Sequence, residues 1–331
     1  MIKKIIKLII IAGLILLLIL VIKSALTDYS KPNVKFGVSF SPYYAEGLGL
    51  QWPQVYNAIL DDLQVDHLRL AAYWDKIEIS KGIYDFTDLD WQMDKARDKD
   101  AKIVLVVGKK LPRWPECYTP NWANYLSSTE LDQAALNMIE TTVKRYQSYN
   151  NVIAWQVENE PFVFWFGVCP SPNHNFFDQE IALVKKLDSR PVIITDSGEL
   201  STWLRSSRQA DIFGTTLYRI VWSPYIGFWY WPLPPSYYYY KGQMIKKLYN
   251  IQEVIVSELQ AEPWAKESIV DLPLDEQFRS MNPQQFKDNI QYARQAGFDQ
   301  IYLWGAEWWY WMKEKKLDDS FWLEAKKLWL K

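Results

Sequence analysis

Apolar runs of strand length and amphipathic runs of helix length alternate eight times from residue 35 to the C-terminus, and that alternation leaves few folds open. The strand-like runs lie at 36–41, 67–73, 102–108, 152–158, 191–196, 211–218, 253–258 and 300–304. The helix-like runs, with apolar residues at helical spacing, lie at 52–63, 89–99, 129–149, 176–187, 200–209, 242–249, 283–296 and 321–330. Eight alternations over about 300 residues predict an α/β chain closed into one (β/α)8 TIM barrel, whose usual size is about 250 residues plus insertions. A doubly wound sheet is the alternative, but no Gly-rich phosphate turn follows the first run and the count fits closure.

Two of the runs end in carboxyls. Residues 152–158 form a short apolar run that stops at Asn159-Glu160-Pro161, and Pro161 cannot donate to a ladder. Residues 253–258 repeat the pattern and end in Ser257-Glu258. Side chains at the C-terminal ends of barrel strands converge on one site, and two facing carboxyls are what glycosidic bond hydrolysis requires. A retaining reaction calls for a separation of about 5 to 5.5 Å, an inverting one for roughly 6.5 to 9.5 Å.

Composition narrows the partners. A formal charge of −2 offers no basic face for nucleic acid. With two His and two Cys, a nitrogen- or sulfur-ligated metal site is hard to assemble, so neither metal nor cofactor is expected. The 18 Trp and 21 Tyr exceed ordinary usage and concentrate in the long links 109–128, 162–175 and 219–241. Rings there either pack under one another or line a cleft where sugar faces stack, and beside a membrane some would meet headgroups. A carbohydrate substrate and a monomer are expected.

Residues 1–26 read as an N-terminal transmembrane helix. The segment 5–22 is apolar except for Lys7, and Lys3, Lys4 and Lys7 put the N-terminus inside and the remainder outside. A cleaved signal peptide is the alternative, disfavoured because bulky or charged residues occupy the cleavage positions near residues 22–25. Residues 27–34 then form a short polar tether, and 35–331 one membrane-anchored, extracytoplasmic barrel. In that oxidising setting Cys117 and Cys169, both on long loops at one barrel face, are expected to form a disulfide, with two unpaired thiols as the alternative.

Over 36–329 the chain resembles the retaining glycoside hydrolases of clan A, the (β/α)8 group that contains families 5, 10, 39 and 42. The resemblance rests on Asn159-Glu160-Pro161 at the fourth strand and Ser257-Glu258 at the seventh. Supporting matches are Arg69 near the end of strand two, Tyr218 ending strand six, Trp304 ending strand eight, and Tyr73-Trp74-Asp75 with Ile77-Glu78 and the run 82–86. It implies Glu160 as acid/base, Glu258 as nucleophile, and Asn159, Arg69, Tyr218, Trp304 and Trp74 as substrate-binding residues. Gly108-Lys109 and Thr216 stand where family 5 members usually carry His, so the clan is assigned and the family is not. A non-catalytic carbohydrate-binding barrel, a transglycosidase and an interaction protein using residues 222–240 are the alternatives.

The residues have plainer readings beside these. Arg69 has the alternative reading of a buried structural ion-pair partner, and Tyr218 and Trp304 that of core. Glu158, Glu262 and Glu307 are read as salt-bridge or rim groups, His67 as a satisfied core histidine and His174 as a solvated loop residue.

Overall fold

The computed structural model describes residues 23, 24, 27–170, 173–264 and 266–330. All eight predicted strands are present: β1 (Lys35–Ser39), β2 (His67–Ala71), β3 (Lys102–Val107), β4 (Val152–Val157), β5 (Val192–Asp196), β6 (Ile212–Leu217), β7 (Glu253–Gln260) and β8 (Gln300–Trp304). They close in chain order into a parallel barrel, with β1 paired to both β2 and β8. Val104, Ala154, Ile193, Ile255 and Tyr302 fill the interior. Gly37 on β1 makes room for the largest of them, since a Cβ there would stand 2.7 Å from the Tyr302 ring.

Around the barrel run α1 (Trp52–Asp61), α2 (Thr87–Asp98), α3 (Ser128–Tyr146), α4 (His174–Leu187), α5 (Pro235–Tyr249), α6 (Pro283–Gln295), α7 (Ala306–Lys316) and α8 (Ser320–Lys326). Helix α1 shows why they dock. Val55, Tyr56, Ile59 and Leu60 recur on one face and are all buried, each such side chain contributing roughly 1.5 to 3 kcal/mol. An Asp at Val55 would put a charge into that face. Helix α3 starts at a reciprocal cap, in which Ser127 and Glu130 each satisfy the other's backbone N–H.

Three departures from the sequence reading have physical causes. The helix expected at 200–209 shrinks to one tight turn, Ser206–Gln209, because Ser201 and Ser206 give their hydroxyls to Asp196 at 2.6 and 2.5 Å instead of leaving the backbone to coil. Helix α7, unexpected, is buried through Trp308, Trp309, Trp311 and Met312 and lacks a single apolar stripe. Two short hairpins, Glu78–Ser80 with Ile83–Tyr84 and Ile220–Ser223 with Gly227–Tyr230, sit in the links.

The expected membrane helix falls on residues that lie, but for 23 and 24, outside the described ones. Among the described residues no helix is long and apolar enough to cross a membrane. The expected tether lies on the barrel's N-terminal face, where Tyr29 stacks on Tyr239 with ring centroids 3.8 Å apart and donates its backbone N–H to Gln295.

Candidate active site

Strand β4 delivers two glutamates through a contorted backbone. Glu158 and Glu160 both have positive φ, at 58° and 45°, a conformation held only where the surroundings impose it. Glu158 is a latch: its carboxylate accepts the backbone N–H of Lys109 at 2.8 Å and of Lys110 at 2.5 Å, tying the loop after β3 to the end of β4. Gly108 allows the approach, since a Cβ there would lie 2.8 Å from that carboxyl. Glu160 donates its N–H to Thr195 at 2.9 Å and is 8 % exposed. Burial pushes its carboxyl well above the usual carboxylate range, the negative charges of Glu258 and Glu116 add to the rise, and Lys110 opposes it.

Strand β7 presents the other glutamate through an irregularity. Val256 pairs with Thr215 and Glu258 with Thr216, so Ser257 is an extra residue that kinks the strand and re-aims the glutamate. Both oxygens of Glu258 are engaged. Arg69 Nη1 donates to Oε1 at 2.9 Å and the Tyr218 hydroxyl to Oε2 at 3.0 Å. Arg69 Nε donates to Gln156 Oε1 and Nη2 to Asn159 Oδ1, each at 2.7 Å. One guanidinium from β2 thus fixes the nucleophile candidate and the amide beside the acid candidate in a common frame. Burial holds the Tyr218 hydroxyl well above its ordinary range, so it remains a donor.

Trp304 ends β8 at the same mouth, with the Arg113 guanidinium 4.0 Å from its ring. The five residues Asn159, Glu160, Glu258, Arg69 and Tyr218 meet there. Trp74 does not join them: it is fully buried in the short helix Trp74–Ile77 and donates its indole N–H to Glu78 at 2.6 Å, so it has no free ring face to offer a sugar. Cys117 and Cys169 form the disulfide, with Cα atoms 5.3 Å apart, and join the loops after β3 and β4. Glu262 and Glu307 both pair with Arg113. His67 bonds Asp66 at 2.9 Å, and His174 is half-buried against Phe162 rather than solvated.

The loop after β3 supplies three residues that sequence reasoning missed. Arg113 lies between Tyr44 and Trp304 while pairing with Glu262 and Glu307. Lys110 pairs with Glu116 at 2.7 Å, and Asn159 Nδ2 reaches Glu116 Oε1 at 3.4 Å. Burial pushes the Glu116 carboxyl up to about 7 against the pull of Lys110. The available signal was the cluster of charges at 109–116 inside an aromatic and proline-rich link.

A converging arginine, tyrosine and glutamate pair on a closed parallel barrel is where the comparisons with known proteins bear. The family model for glycosyl hydrolase family 10 matches residues 56–164, from α1 through the Glu160 strand. The match covers part of the chain, and the barrel as a whole is similar in fold to solved glycoside hydrolases. The barrel superimposes on a β-galactosidase from Rahnella sp. R3 with a TM-score of 0.54 at 14 % identity, covering 84 % of this chain and 51 % of that one. On xylanase 10B from Thermotoga petrophila the TM-score is 0.53 at 15 % identity, with 82 % of each chain covered. On GH5_18 from Bifidobacterium longum subsp. longum it is 0.58 at 12 % identity, with 82 % and 69 % covered. The chain spans about half the length of two β-galactosidases it matches, 51 % and 52 % for those of Rahnella and Halorubrum lacusprofundi. Among curated proteins, none matches its sequence. The likeness thus spreads across families 10, 42 and 5, in keeping with an assignment to the clan and to no one family.

Proposed function

We propose that the chain is a retaining β-glycosidase that hydrolyses O-glycosidic bonds of an oligo- or polysaccharide by double displacement. The observation that carries the reading is the opposed treatment of two strand-end carboxyls. Glu258 has both oxygens held by Arg69 and Tyr218, while the Glu160 carboxyl is raised by burial first and by the charge of Glu258 second. A carboxylate gripped by a cation and a hydroxyl is placed to attack, and a carboxyl raised by burial is placed to donate a proton. In the first step Glu160 protonates the departing oxygen as Glu258 attacks the anomeric carbon. In the second, Glu160, now ionised, takes a proton from water, which displaces Glu258 and restores the original configuration. Asn159, held by Arg69 beside Glu160, is the group for the hydroxyl next to the anomeric centre.

The proposal extends to location. The lysines ahead of the apolar segment 5–22 support a membrane anchor with the barrel on the outer side, acting as a monomer. The test is release of a chromophore from a panel of aryl β-glycosides by the full chain in detergent. Release that disappears in Glu258→Ala supports the reading, and no release from any member of the panel refutes it.

A further inference from the structure

We propose that Arg113 closes the sugar-binding end of the site and makes the enzyme act only at a chain's non-reducing terminus, one sugar at a time. This rests on the glycosidase reading above. The bond to be broken runs from Glu258, which takes the anomeric carbon, toward Glu160, which protonates the departing oxygen. The leaving group therefore lies on the β4 side. The transferred sugar lies toward the opposite wall, which in a closed barrel of eight strands is β8 and its neighbour β1. That wall is Trp304 with Ser41, and Arg113 reaches it from across the mouth.

Arg113 is 7 % exposed, although it belongs to a loop. Its guanidinium lies 3.8 Å from the Tyr44 ring centroid and 4.0 Å from that of Trp304. It pairs with Glu262 after β7 and, at 3.1 Å, with Glu307 after β8, whose other oxygen accepts the Ser41 N–H at 2.6 Å. The crevice left among Ser39, Ser41, Arg69, Tyr73, Arg113 and Trp304 is too small for a water molecule. A second sugar continuing past the first would have to take the space this guanidinium fills.

The loop that carries Arg113 is built not to yield. Its N–H and C=O groups close on themselves, Leu111 N–H to Glu116 O and Glu116 N–H to Arg113 O, both at 2.7 Å. The Tyr118 hydroxyl donates to the carbonyls of Arg113 and Trp114, and the Tyr118 ring packs on Tyr73 and Tyr43. The disulfide of Cys117 anchors the far end. Arg113 itself has φ 85°, a conformation an arginine keeps only when its surroundings force it. The β4 side contrasts with this. There Phe164, Trp165 and Phe166, which follow Glu160, are exposed, and Phe166 begins a row of rings through Trp264 to Tyr218 on which the departing portion can stack.

The experiment uses the full chain and the best aryl β-glycoside found in the panel. Its aryl β-disaccharide is compared with the same compound carrying a benzylidene cap on the terminal sugar, and products are followed by mass spectrometry. The wild type should remove single sugars from the uncapped disaccharide before the aryl group appears, and cleave the capped one about a hundredfold more slowly, because entry would break a buried ion pair. Arg113→Ala should narrow that gap at least tenfold by this argument. If Arg113→Ala fails to fold, the wild-type comparison alone decides. Equal rates on capped and uncapped compounds, or release of an intact disaccharide by the wild type, would overturn the inference while leaving the glycosidase reading in place. No release from the simple aryl glycoside would overturn both.

Discussion

Arg69 on β2 donates to Glu258 on β7 at 2.9 Å, with 2 % and 4 % of the two residues exposed. The pair is buried, so removing one partner strands the other. Arg69→Ala should destabilise the protein by about 3 to 5 kcal/mol, read as a fall in the denaturant midpoint at unchanged slope. Tyr218→Phe removes only the hydrogen bond to Glu258 Oε2, and its cost should appear in turnover rather than folding. A Tyr218→Phe protein with normal stability and normal kcat would show that the bond positions nothing that matters to the reaction.

Glu116 gives a pH prediction whose sign is fixed by charge. Glu160 must carry a proton to donate it, so kcat/KM falls as pH rises through the Glu160 pKa. Burial first, then Glu258 and Glu116, hold that pKa above the usual carboxylate range. Replacing Glu116 by Gln deletes one of the negative charges, lowers the Glu160 pKa and moves the alkaline limb of the profile toward acid by about one pH unit. Glu116→Gln with an unmoved alkaline limb would show that the limb does not report Glu160.

The disulfide between Cys117 and Cys169 closes a segment with a sequence separation of 52. In the chain-entropy account such a closure is worth about 4 kcal/mol, so the Cys117→Ser, Cys169→Ser double variant should unfold at correspondingly lower denaturant. Because Glu116 precedes Cys117 and lies against Asn159, the variant should also lose activity at denaturant concentrations where it remains folded. Full activity alongside the expected loss of stability would confine the bridge to a folding role.

How far the sequence reached depended on whether the signal was local. Each barrel strand is a buried run that ends in a polar residue, and that pattern is complete within a few residues. Thus all eight strands, and the convergence of Arg69, Tyr218, Glu160 and Glu258, were legible. Helix α7 was not, because Trp308, Trp309, Trp311 and Met312 are buried on more than one face and leave no stripe to read. Arg113 was illegible for another reason. Its partners Glu262 and Glu307 lie 149 and 194 residues downstream, and only closure of the barrel brings them to it. Trp74 shows the opposite error, a residue matched by motif whose indole is committed to Glu78 in the core.

The division of labour between Glu160 and Glu258 predicts different failures when each is removed. Glu258→Ala has no nucleophile, so no glycosyl-enzyme forms and turnover should fall by several orders of magnitude on every substrate. Azide can restore reaction there only by attacking from the face Glu258 occupied, giving a product of inverted configuration. Glu160→Ala lacks the proton donor, yet Glu258 remains held by Arg69 and Tyr218. An aryl glycoside with a good leaving group needs no proton, so it should still load Glu258 and then stall for want of a base to activate water. A burst of aryl alcohol followed by a slow steady state is the expected trace. Azide, which needs no base, should relieve the stall and yield a glycosyl azide of retained configuration, whereas substrates with poor leaving groups should fail at the first step. If azide gave the retained product with Glu258→Ala and the inverted one with Glu160→Ala, the roles would be exchanged: the carboxyl gripped by Arg69 would be the acid and the buried one on β4 the nucleophile.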